Sequence, residues 1–122
     1  MTRQAIRLRR VYDEPDPRDG TRVLVDRLWP RGLAKERAPV DVWLREVAPS
    51  ADVRRWYGHD PAKWDDFRRR YETELATGDQ ASALSRLREL AARGPVTLVF
   101  AARDSEHANA AVLREVRARK PA

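Results

Sequence analysis

Three short stretches gather the residue types that hold and move charge. In "VLVDRLWPRG", residues 23–32, an apolar run breaks into Asp26, Arg27, Trp29 and Arg31, with Pro30 and Gly32 between them. In "VFAARDSEH", residues 99–107, a second apolar run breaks into Arg103, Asp104 and His107. In "WYGHDP", residues 56–61, His59 stands between Gly58 and Asp60. Guanidiniums grip phosphate or carboxylate in a bidentate fork. A tryptophan stacks on a base or ring. Histidine titrates near neutrality and serves as general acid or base. Arg27, Trp29, Arg31, Arg103 and Asp104 are therefore the candidate ligand-binding residues, and His107, His59 and Asp26 the candidates for proton transfer. Each also has a structural alternative. Asp26 can pair with Arg27 or Arg103, Trp29 can cap the core, and His59 can pack in a turn between helices.

These residues work together only if the fold brings them together. "AIRLRRVY" alternates apolar Ile6 and Leu8 with arginines and reads as a strand with one wet face. "DEPDPRDG", residues 13–20, is turn chemistry. "TRVLVDR" is a more buried strand stopped by Pro30 and Gly32, and "VTLVFA", residues 96–101, is apolar throughout, as a strand covered on both faces should be. "VDVWLREV", residues 40–47, reads as a short amphipathic helix. Ser50 caps a second in "ADVRRWYG", and Asp60-Pro61 starts a third that runs to about Ala76 with Trp64, Phe67, Tyr71 and Leu75 on one face. "QASALSRLRELAARG" is a further helix, and the last runs from about Glu106 to Arg119, which sets His107 in its first turn.

Strand, strand, helices, strand, helix indicates an α/β fold. The expectation is a small, mostly parallel sheet of three strands or slightly more, flanked by helices, in one domain spanning 1–122 with a loose tail at about 118–122. The second strand and "VTLVFA" are joined through helices and should run parallel. The partner of the first strand is left open. Ligands of open α/β sheets bind beyond the carboxyl ends of the strands. Here those ends are "DRLWPRG" and "AARDSEH", so neighbouring strands would put their polar residues on one rim, next to the positive end of the last helix.

Composition narrows the chemistry. The 122 residues include no cysteine, which removes disulfides, thiolate nucleophiles and Cys-based metal sites. His59 and His107 are the only histidines, at no metal-ligand spacing, and the five glycines form neither a dinucleotide fingerprint nor a phosphate loop. No metal and no cofactor is expected. With no apolar run long enough for a bilayer and no leader-like N-terminus, the expectation is a cytoplasmic protein with no membrane contact. The net charge is +6, carried almost wholly by arginine. It supports an alternative function, a basic module that binds nucleic-acid backbone through "RLRR" at 7–10, "RRR" at 68–70 and "RARK" at 117–120. Interleaved acidic residues favour a mixed, solvated surface instead. Whether the protein is an enzyme, and its oligomeric state, are left open.

Taken in order, "RVYD", "RVLVDRLWPRG", "WL.E.APS", "R.W.GHDP..W..F..RY..EL" and "GPVTLVFAARD..H..A..L" resemble domain-of-unknown-function family 488 in its short YeaO-like branch. The resemblance spans about Ile6 to Leu113. It implies a small bacterial or archaeal α/β protein and brings no reaction with it. Longer members have a similar strand ending in an Asp-x-Arg signature, which "VDRLWPR" looks like, and a later strand with a polar end, which "VFAARD" looks like. That supports Asp26, Arg27, Arg31, Arg103 and His107 as rim positions. Longer members often carry a cysteine near the end of the later strand. Ala101 and Ala102 stand there in this sequence, which puts thiol chemistry out of reach.

Overall fold

A computed structural model describes residues 6–118. Four strands form one sheet: β1 (Arg7–Arg10), β2 (Thr21–Leu24), β3 (Val42–Trp43) and β4 (Val96–Phe100). The helices are α1 (Ala51–Tyr57), α2 (Trp64–Glu74), α3 (Gly78–Arg93) and α4 (Asn109–Ala118). The strand order is β1-β4-β2-β3, and every pairing is parallel. The first strand, whose partner the sequence left open, lies against β4 with Arg7 opposite Thr97 and Arg10 opposite Phe100. On the other side of β4, Thr21 stands opposite Val96 and Leu24 opposite Val99. The two earliest strands thus flank the latest one without touching each other.

Side chains alternate along the central strands. Val23, Val25, Val96, Leu98 and Phe100 face one way, into the main core with Phe67, Tyr71, Leu84, Leu87 and Leu113 of the helices. Leu24 and Val99 face the other way with Val11, under Trp29, Leu33, Val40 and Trp43. Helices therefore cover one face, and the segment between β2 and β3 covers the other. That explains why "VTLVF" carries no charge and is apolar but for Thr97: all five residues are buried.

Polar groups at the start of the sheet pair with one another, although Arg22 Nη2 is buried with no hydrogen-bond partner. Asp19, only 2% exposed, pairs with buried Arg22 and, at 3.0 Å, with Arg7, while Thr97 Oγ1 donates to the Asp19 carbonyl. Burial would raise the Asp19 pKa. The Asp16 N–H, Arg22 and Arg7 outweigh it, so the carboxyl sits below its ordinary range.

Ser50 and Asp60 act as the caps their types imply: Ser50 Oγ accepts from Val53 N–H, and Asp60 accepts from Ala62 N–H. Three expectations need correction. "VDVWLREV" is not a helix. Val42 and Trp43 pair with Val23 and Leu24 as β3, and Arg45–Val47 make one 3-10 turn. The exposed edge of β2 supplies what local periodicity cannot register: Asp41 N–H donates to the Arg22 carbonyl and Leu44 N–H to the Leu24 carbonyl, both at 2.9 Å. The helix expected from Pro61 begins with a 3-10 turn and becomes α-helical at Trp64. The last helix begins at Asn109, so His107 lies in a separate 3-10 turn, Ser105–His107, and not in the first helical turn. From residue 119 onward the expected loose tail falls outside the described residues.

Candidate functional site

Because all four strands run parallel, their carboxyl ends share one edge. Beyond that edge lies an open cavity of about 1070 Å³. Asp26, Arg27, Trp29, Arg31, His59, Arg103, Asp104 and His107 all line it. The loop carrying His59 does reach the strand ends, a point the sequence had left undecided. His59 adopts a left-handed backbone, φ 56°, the one described non-glycine residue with a positive φ.

Asp26 is held at the tip of β2. Its Oδ2 accepts from Ala101 N–H at 2.8 Å, and its carbonyl accepts from Trp43 Nε1 at 2.7 Å. Burial raises the Asp26 pKa, opposed by the Ala101 hydrogen bond and by the charges of Arg54 and His59. Asp104 is the opposite case. Its Oδ2 lies 2.6 Å from His107 Nδ1, and that contact lowers its pKa. An ionised carboxylate can only accept, so Nδ1 carries the proton and Nε2 is the basic nitrogen. The His107 ring meets Trp64 edge-on at 5.2 Å between centroids, and its carbonyl accepts from Tyr57 Oη at 3.0 Å.

The arginines divide by obligation. Arg27 donates to the Ala48 and Pro49 carbonyls at 3.2 and 3.4 Å, tying β2 to the segment before α1. Arg10 donates to the Ala101 and Ala102 carbonyls. Arg31 and Arg103 are exposed, and their guanidiniums make no hydrogen bond or ion pair with any described residue. Trp29 is committed to the fold through its Nε1 bond to the Leu33 carbonyl at 2.6 Å and its edge contact with Trp43.

Sequence reasoning missed Arg54, Tyr57 and Asn109. Asn109 Nδ2 donates to the Val25 carbonyl at 2.9 Å, and Arg54 Nε is buried without a hydrogen-bond partner. No local pattern marks these residues, because the turn of α1 and α4 toward the cavity comes from packing. Arg10 could have been found: it ends a strand at its carboxyl side, the same rule that selected Asp26. Among the described residues, no group of three or more His, Asp or Glu side chains could hold a metal ion. Nor is any helix among them long and apolar enough to cross a membrane.

Residues 5–120 match the family described as the inactive DUF488-N3 subclade, DUF488-N3i. The chain belongs to that family. The DUF488-N3i chain is 45% identical over 111 residues to the uncharacterised protein Rv3073c of Mycobacterium tuberculosis (strain H37Rv), covering 91% of this chain and 92% of that one. It is 37% identical over 110 residues to the uncharacterised protein YeaO of Escherichia coli (strain K12), covering 90% and 94%. No solved structure matches it.

Proposed function

We propose that this DUF488-N3i protein binds a small phosphorylated molecule of nucleotide type in the cavity beyond the strand ends. The observation that carries this reading is the lining. Six arginines converge there against two aspartates, and three of the six, exposed Arg31 and Arg103 and half-buried Arg54, present guanidiniums with no hydrogen-bond or ion-pair partner among the described residues. Unpaired cations at the mouth of a concave site raise the local concentration of anions and can grip a phosphate in two places at once.

Binding without thiol chemistry fits the family's description as inactive and the alanines at 101 and 102. The Asp104–His107 pair would hold a basic nitrogen beside the ligand. Of the charge runs behind the nucleic-acid alternative, those at 7–10 and 68–70 are largely occupied, and the one at 117–120 lies partly outside the described residues. Arg68 pairs with Glu115, Arg69 with Asp66, and Arg70 lies over the Trp56 ring; Arg7 and Arg9 pair with Asp19 and Asp13.

The test is calorimetric titration with pyrophosphate and nucleoside monophosphates at low salt, on wild type and Arg103→Ala. Saturable one-site binding by wild type is expected, lost in Arg103→Ala at nearly unchanged melting temperature. Failure of every anion to saturate would overturn the reading, as would a large drop in melting temperature for Arg103→Ala.

A further inference from the structure

Phosphate accounts for the mouth of the cavity and leaves Asp26 unexplained. This carboxylate is the more buried of the two in the lining, and an anion placed beside it would be repelled. Its Oδ2 is fixed by Ala101 N–H, while Oδ1 takes no hydrogen bond and the group forms no ion pair with any described residue, although six arginines line the same cavity. Arg54 is the complementary case. It lines the same cavity, its guanidinium makes no hydrogen bond or ion pair with any described residue, and its charge acts on Asp26 without the two groups pairing. An acceptor and a donor unpaired in one cavity are both available to a third group that bridges them.

The bridging group must donate to Asp26 and accept from Arg54. An ionised phosphate oxygen cannot donate to Asp26, and a sugar hydroxyl does so only through a freely turning group, whereas a nucleobase edge fixes a ring N–H or amino donor beside a carbonyl or ring-nitrogen acceptor in one plane. Resting on the phosphate-binding reading above, we infer that Asp26 and Arg54 read the base edge of a nucleotide whose phosphate lies at Arg31 and Arg103. Asp26 is then the specificity-determining residue of the site. The cavity, about 1070 Å³, has room for both ends of such a ligand.

The test compares wild type and Asp26→Asn by calorimetry against the four ribonucleoside 5′-monophosphates, ribose 5-phosphate and pyrophosphate. Asparagine keeps an oxygen for Ala101 N–H and turns the open oxygen into a donor, so the fold is retained while the base contact becomes donor against donor. At least one monophosphate should bind wild type about tenfold or more tightly than ribose 5-phosphate. Asp26→Asn should erase that advantage and leave pyrophosphate binding no weaker. Arg54→Met probes the same contact from the other side and serves if Asp26→Asn does not fold. A single-stranded hexanucleotide of the preferred base separates sources. Tighter binding than the monophosphate, lost in Asp26→Asn, supports the same contact on a polynucleotide; weaker binding supports it on a free nucleotide. Equal binding of ribose 5-phosphate and all monophosphates, or an Asp26→Asn chain that keeps its preference, overturns the base contact and leaves the phosphate site standing. If pyrophosphate and every monophosphate fail to bind, both readings fall together.

Discussion

Arg27 and Arg103 bring the same guanidinium to the same cavity under opposite obligations. Arg27 closes on two backbone carbonyls; Arg103 closes on nothing described. Arg27→Ala should therefore lower the unfolding free energy by about 1–2 kcal/mol, the worth of two modest hydrogen bonds to a charged donor, read from urea midpoints. An exposed Arg103→Ala should change it by less than about 0.5 kcal/mol. A sequence shows two arginines after two strands and cannot rank them. The ranking comes from the Ala48–Pro49 segment, 21 and 22 residues away from Arg27. Asp19 gives a pH signature at the other end of the sheet. Its folded pKa lies below its unfolded value, so its contribution is present above about pH 4 and is lost as pH falls through the folded value. Asp19→Asn should unfold at lower urea than wild type at neutral pH, and lose less further stability between roughly pH 5 and roughly pH 3.

Among the elements, Gly20 shows how close β2 and β4 must come. Its φ is +62°, and a Cβ there would stand 2.2 Å from the Pro95 carbonyl oxygen, the acceptor of the Thr21 N–H at 3.0 Å. Because the obstacle is backbone, Gly20→Ala should cost more than about 2 kcal/mol, visible as a melting temperature lowered by about 8 °C or more. Gly32, also at positive φ, has nothing near its missing Cβ, and its alanine variant should be affected by backbone strain alone. The sequence made β1, β2, β4 and the first three helices legible, because each carries either its period or its cap. It misread β3, where two residues are strand only through the β2 edge, and it placed α4 too early. Asp104 caps a short 3-10 turn that ends at His107, and the α-helix starts only after it.

For the whole molecule, the +6 charge needs to be weighed against its partners. Arginines of "RLRR" and "RRR" meet Asp13, Asp19, Asp66 and Glu115; Arg31 and Arg103 stand open at the cavity mouth, while Arg37, Arg86, Arg93 and Arg114 stand open singly elsewhere among the described residues. Ligand affinity should then fall only shallowly with salt, by less than about tenfold between roughly 50 and 200 mM, where a backbone-binding module making many phosphate contacts would lose about a thousandfold or more. Fluorescence titration across that range, using duplex DNA beside a mononucleotide, separates the two. The rim itself was foreseeable, since parallel strands put their carboxyl ends on one side. Its back wall was not, because Arg54 and Asn109 arrive on helices whose orientation depends on the core.

The position of β4 between β1 and β2 also governs when this protein can fold as it is made. A ribosome releases the chain from its amino end, and both early strands must wait, unpaired with each other, for residues 96–100 to emerge. Until then only the two-residue β2–β3 pairing is available to the sheet. The complete sheet, and with it the carboxyl-end cavity, can therefore close only once β4 has emerged.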